Sequence, residues 1–189
     1  MINSVKPNLI VSDSRGAWFR ATILFILALI GTVGMWSVVV FIPDIEKEFG
    51  LDRGTSSLLY AFTMIGFGFG TVVIGKVYDK FGIKKPILLA TFVLITSYYF
   101  YSIFPFYWQF LILQFFMGFA ASAFFGPAMA DISNFFNKQR GFALSIVASA
   151  NYVAGATWPL LIGYFLTFID WRAAHFWISI CLFIMIPLI

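Results

Sequence analysis

A single cysteine and a single histidine stand in the 189 residues of the chain, and that scarcity closes off several kinds of chemistry at once. Cys181 has no partner within the chain for a disulfide framework or a thiolate zinc site, and one histidine, His175, cannot build an imidazole metal centre. Neither a metal nor a cofactor is expected. Charge is scarce too: Asp, Glu, Lys and Arg make up 11% of the chain, whereas a soluble domain carries roughly 25% to keep its surface in water. The excess of base, 12 Lys and Arg against 8 Asp and Glu, is scattered between apolar blocks. It forms no basic face with interleaved aromatics, so nucleic acid is not an expected partner.

What the chain has in abundance is hydrophobic residues, 61% of the total, in blocks of about 20, the length a helix needs to cross the hydrocarbon core of a bilayer. Uncharged stretches lie near residues 20–42, 55–75, 86–105, 109–131, 142–168 and 174–189, behind an N-terminal segment of residues 1–19. The long uncharged run from Pro86 to Ala130 is divided by Pro105-Phe106-Tyr107-Trp108, since proline removes a donor and aromatics favour the membrane interface. The first run, Ala21 to Ile42, is too long for the core of a signal peptide and is expected to stay as a helix. The expected fold is an all-α membrane protein, a six-helix transmembrane bundle whose surroundings are the lipid bilayer. The last span is short and lacks a polar flank, which reads as truncation at the C-terminus.

Basic residues sort by connection. Lys6, Arg15 and Arg20 precede the first span, Lys76, Lys80, Lys84 and Lys85 follow the second, and Lys138 and Arg140 follow the fourth. The other side holds only Lys47, Arg53 and Arg172. The positive-inside rule then places the N-terminus in the cytoplasm of a cell whose plasma (inner) membrane carries the protein.

No Asp, Glu, Lys, Arg or His lies near the centre of a span. Intramembrane ionisable groups mark ion pathways and would be required for membrane-embedded catalysis, so no coupling residue and no catalytic residue are expected here. The polar residues left inside the spans are Asn151 and Gln114, with the amphipathic aromatics Trp36, Tyr60, Tyr152 and Trp158. Asn151 reads equally as an interhelical hydrogen bond or a solute contact, and Gln114 reads more as packing. Gly66 with Gly70, and Gly118, Ser122 and Gly126, form small-residue stripes that let helices approach closely, while Gly126-Pro127 predicts a kink in the fourth span. Tyr98, Tyr99, Tyr101, Tyr107 and Trp108 read as an interfacial aromatic belt, and His175, beside Asp170 and Arg172, as an interface residue.

The stretch Gly75-Lys76-Val77-Tyr78-Asp79-Lys80-Phe81-Gly82-Ile83-Lys84-Lys85 resembles the signature loop of the major facilitator superfamily, which joins helices two and three on the cytoplasmic side. Ile83 stands where the family pattern has a basic residue, and the basic pair is moved to Lys84 and Lys85. Gly75 would permit close helix contact, Gly82 a turn at positive φ, and Asp79 would accept hydrogen bonds from a helix N-terminus in a second bundle. Lys80, Lys84 and Lys85 serve either that latch or membrane topology. The stretch Asn134 to Ser145, with Arg140-Gly141, looks like the loop between helices four and five of the same superfamily. With Asp170-Trp171-Arg172-Ala173 it is similar to the monocarboxylate and oxalate/formate antiporter branches.

The resemblance implies twelve helices in two six-helix bundles, with this chain as the N-terminal half and the C-terminal six-helix half as its partner. It implies a gating region comprising Gly75, Asp79, Lys80, Gly82, Lys84, Lys85, Asp131, Arg140 and Gly141. Helices one, two, four and five of the family line the cavity, which makes Trp36, Tyr60, Gln114, Asn151, Tyr152 and Trp158 the candidate solute contacts. The implied function is secondary active transport of a small solute, a monocarboxylate or another organic anion, by alternating access. The alternatives are a half-size transporter acting as a homodimer and a non-transporting membrane receptor of the same fold.

Overall fold

The computed structural model describes residues 12–189; Lys6, and with it most of the N-terminal segment, lies outside the described residues. Six helices are each long and apolar enough to cross a membrane: α1 (Arg15–Phe49), α2 (Arg53–Phe81), α3 (Lys84–Ile103), α4 (Tyr107–Ser133), α5 (Arg140–Phe165) and α6 (Trp171–Leu188). An all-α membrane bundle is therefore what the chain forms.

The helices overrun most of the limits drawn at charges, because a charged side chain ends a hydrocarbon span without ending a helix. Helix α1 continues through Pro43, Asp44, Glu46, Lys47 and Glu48, and stops at Gly50, whose φ of +62° is left-handed. At the start of α2 the Asp52 carboxylate accepts the Gly54 N–H at 3.0 Å, a side-chain cap for an otherwise free donor. Its hydrogen bonds to Thr55 and Gly54 hold Asp52 below the usual carboxylate range, with the Thr55 side chain the largest cause. The far end of α2 runs to Phe81 and is stopped by Gly82 at φ +75°. Lys76, Asp79 and Lys80 are thus residues of the last turns of a helix rather than of a loop, and only Gly82 and Ile83 connect α2 to α3.

Two helices are interrupted in mid-course. Helix α1 breaks at Thr32, between Gly31 and Val33, and α4 passes through a 3-10 turn at Ser122–Phe124 before resuming at Gly126. The second break has a local cause: Pro127, at the start of the resumed helix, lacks an N–H and its ring opposes the carbonyl four residues back. The two breaks pack on each other, for a Cβ added to Gly31 would lie 2.5 Å from the Phe124 ring.

Helix α2 lies directly on α4. A Cβ at Gly66 would sit 2.0 Å from the Phe115 carbonyl oxygen, and one at Gly118 would sit 1.9 Å from that of Thr63. Backbone touches backbone, as small-residue stripes allow in lipid. The stripe extends to Gly70, which faces Ser122, but Gly126 and Gly75 have nothing within 4 Å and make no close helix contact in this bundle.

Two expectations about aromatics fail. Tyr98 and Tyr101 are buried in the core, whereas Tyr99 and Trp108 are exposed. The Tyr98 hydroxyl pairs with that of Ser37 at 2.6 Å, and the Tyr101 ring stacks on Phe110 at 4.4 Å. His175 is not an interface residue either: it is 1% exposed, its ring lies parallel to Tyr101 at 4.3 Å, and its Nδ1–H donates to the Trp171 carbonyl at 2.7 Å. Position near the end of a span placed these residues at the interface, but inward helix faces carried them into the core.

Candidate gating and solute site

At the end of the bundle that carries Arg15, the decisive contact joins α1 to α4. Arg20 donates from Nε to Asp131 Oδ2 at 2.6 Å and from Nη2 to Oδ1 at 2.9 Å, a two-pronged pair of planar groups. The Asp131 carboxylate is nearly buried, and the Arg20 guanidinium also lies 4.6 Å from the centre of the Phe135 ring. Close by, Asp13 takes the N–H groups of Asn137, Lys138 and Gln139 at 3.3, 3.1 and 3.1 Å, just ahead of α5. Those bonds, that from Lys138 foremost, hold the Asp13 carboxyl below its usual range.

The other residues named for the gate are not gathered by this bundle. Asp79 is exposed on the last turns of α2 and makes no side-chain hydrogen bond among the described residues. Lys80 and Lys85 place their ammonium groups 5.2 and 4.2 Å from the centre of the Phe81 ring, and Lys84 begins α3. Arg140 begins α5, and Gly141 has nothing within 4 Å. Only Asp131 is engaged. Its partner Arg20 went unrecognised as a site residue because 111 positions separate the two and each resembles an ordinary terminal charge.

The opposite end is tied differently. Glu48 accepts the Trp171 indole N–H at 2.9 Å and Arg172 Nη2 at 2.6 Å, while Arg172 Nη1 donates to the Phe104 carbonyl at 2.8 Å. One arginine thus draws together the ends of α1, α3 and α6.

Between the two ends, the solute candidates separate into four groups. Trp36 on α1 donates its indole N–H to Asn151 Oδ1 on α5 at 3.2 Å, and its ring covers Gly155, one turn further on, where a Cβ would lie 3.0 Å from ring atoms. Gln114 lies buried inside the bundle, accepting from Thr63 Oγ1 at 2.9 Å and donating to the Tyr101 hydroxyl at 3.4 Å. It cross-links α2, α3 and α4 from a buried position. Tyr60 and Tyr152 stand on exposed faces of α2 and α5 and make no side-chain hydrogen bond among the described residues. Trp158 donates to the Leu29 carbonyl at 2.8 Å and lines a separate apolar cleft of about 470 Å³ between α5 and α6, with Ile30 of α1, Phe165 and Trp177.

No group of three or more His, Cys, Asp or Glu among the described residues converges as metal ligands would. What the geometry offers is a helical bundle with a polar contact on the α1–α5 seam, an exposed acid at the end of α2, and two helices broken where they meet.

Comparison with known proteins gives this arrangement its family. The family model described as Major Facilitator Superfamily matches residues 24–189. The chain is 31% identical over 105 residues to the MFS transporter asaE of Aspergillus flavus, covering 55% of this chain and 23% of that protein. It is 26% identical over 156 residues to the agnestins efflux protein AgnL12 of Paecilomyces divaricatus, covering 79% and 35%. It is 23% identical over 172 residues to the inner membrane transport protein YnfM of Escherichia coli, covering 89% and 41%. The chain therefore spans less than half the length of these relatives. With its match to the family model over all but the first residues and six helices able to cross a membrane, this chain is a multi-pass membrane protein belonging to the Major Facilitator Superfamily.

Proposed function

We propose that the chain supplies the N-terminal six-helix half of a secondary active transporter, which moves a small solute by alternating access between this bundle and a C-terminal one. The solute is a monocarboxylate or another small organic anion, and the N-terminus faces the cytoplasm across the plasma (inner) membrane. The observation that carries this reading is the exposed carboxylate of Asp79, which has no side-chain partner among the described residues and stands at the end of a helix that itself has few buried residues. A second bundle docked against α2 and α5 would cover both helices and offer Asp79 a helix N-terminus as donor. The interruptions of α1 and α4, which pack on each other, support a solute path beside them. No Asp, Glu, Lys, Arg or His lies in the central part of α1 or α5, so a cation that pairs with the anion belongs to the second bundle.

Reconstitution of the complete gene product in liposomes, with labelled carboxylates, sugars and amino acids offered under proton and sodium gradients, tests the reading. Carboxylate uptake is expected, and Asp79→Asn should lower it while leaving membrane insertion unchanged. Uptake no greater than in empty liposomes under every gradient would overturn the transport assignment, and wild-type rates in Asp79→Asn would remove the latch.

A further inference from the structure

We infer that Asn151 presents a fixed hydrogen-bond donor to the solute, and that the group it recognises is an acceptor oxygen, the carbonyl or carboxylate oxygen of a small organic molecule. The inference rests on the proposed transport function and narrows its substrate class.

The carboxamide of an asparagine has an accepting end and a donating end, and a free side chain can turn either toward a ligand. Trp36 removes that freedom. An indole N–H can only donate, so the end of Asn151 facing it at 3.2 Å is the carbonyl oxygen. The indole is itself held, since its ring lies against Gly155 so closely that a Cβ there would be 3.0 Å away. Nδ2 of Asn151 is left pointing away from Trp36, with no protein acceptor among the described residues. It is not sealed inside, because no buried side-chain nitrogen or oxygen among those residues lacks a partner. The Asn151 amide nitrogen is therefore accessible from outside the packed bundle, beside a half-buried tryptophan.

Nothing nearby in sequence competes for the role. Residues 21–43 of α1 and 141–165 of α5 contain no Asp, Glu, Lys, Arg or His. Recognition along this seam is therefore by a neutral donor, whose state does not change with pH. A ligand that offers a proton at this point meets another donor and is refused, which is how a fixed polar group discriminates more sharply than an apolar wall.

Equilibrium binding to the purified full-length protein tests the inference, with labelled pyruvate, benzoate and acetophenone as acceptor probes and benzylamine as the donor probe. Wild type should bind at least one acceptor probe and exclude benzylamine. Asn151→Asp, which keeps the acceptor for Trp36 but removes both amide protons, should weaken acceptor binding about tenfold or more, the scale of one lost hydrogen bond. Trp36→Phe, which frees the amide to turn, should weaken it less and admit benzylamine; it also serves if Asn151→Asp folds poorly. Unchanged affinity in Asn151→Asp, preference of wild type for benzylamine, or no acceptor probe bound by wild type would each overturn the inference. The same preparations in liposomes separate it from the function: binding without uptake would leave the donor standing and overturn transport. Uptake undiminished in Asn151→Asp, with unaltered KM, would leave transport standing and overturn the donor.

Discussion

Helices α1 and α4 differ from α2 and α5 in what surrounds them. In the most apolar 18-residue stretch of each, 61% of residues are buried in α4 and 56% in α1, against 28% in α2 and 22% in α5. In water such a difference would be written in polarity, because exposed faces must be wettable. In a bilayer an exposed leucine costs nothing, and composition falls silent about which helix is central. What distinguishes the inner pair is geometry: both are interrupted, the interruptions touch, and a charged pair joins their ends. The outer pair has one closely packed face each and leaves the rest bare.

That contrast can be broken most severely where an outer helix meets an inner one. Gly118→Leu would drive a side chain into the Thr63 carbonyl, 1.9 Å from where its Cβ must lie. Backbone cannot step aside as a side chain can, so a loss of about 3 kcal/mol, the upper part of the range for overpacking, is expected. Thermal unfolding in detergent should show it, while Gly75→Ala, in open space, should unfold like wild type. Next in size is the tie within the inner pair. Arg20→Ala strands the nearly buried Asp131 carboxylate and should cost about 2–3 kcal/mol, part of which returns in the double variant Arg20→Ala with Asp131→Asn. A double-mutant cycle reads the coupling directly, and additive losses would show that the pair contributes nothing of its own.

The smallest effect is expected at the margin, where Asp13 holds the segment before α5. Its carboxyl is held below the ordinary range, so what it contributes is present above the unfolded value of about 4 and is lost as pH falls through the lower folded value. Hydrogen exchange at the N–H groups of Asn137, Lys138 and Gln139, taken relative to the intrinsic rate at each pH, should quicken over that acidic window in wild type. In Asp13→Asn it should already be faster at neutral pH and respond less to acid. The rest of the bundle should be unaffected.

The number of spans was legible in the sequence because apolar runs are bracketed by charge or, between the third and fourth, divided by Pro105 and its aromatic neighbours, and Gly82 was legible because only a left-handed residue suits that sharp a stop. The helix ends were not, since Ser14, Asp52 and Asp170 start helices by capping while charges inside the ends merely extend into the interface. Asn151 and Gln114 stood out as the polar residues of apolar spans, but nothing local says that one is sealed by Thr63 and Tyr101 while the other opens beside Trp36. Tyr98, Tyr101 and His175 were misplaced for a related reason: an aromatic near a helix end fits a lipid interface and a packed core equally well, and only tertiary contact decides. Arg20 and Asp131 carry no shared local pattern at all.

Helix α1 is fastened at both ends, by Arg20 to Asp131 below and by Glu48 to Trp171 and Arg172 above, yet it is broken at Thr32 between them. A rod clamped at its tips and weakened at its waist yields sideways at the waist. Trp36 stands one turn from that point, so the indole that orients Asn151 sits beside the interruption of the helix and away from both of its fastened ends.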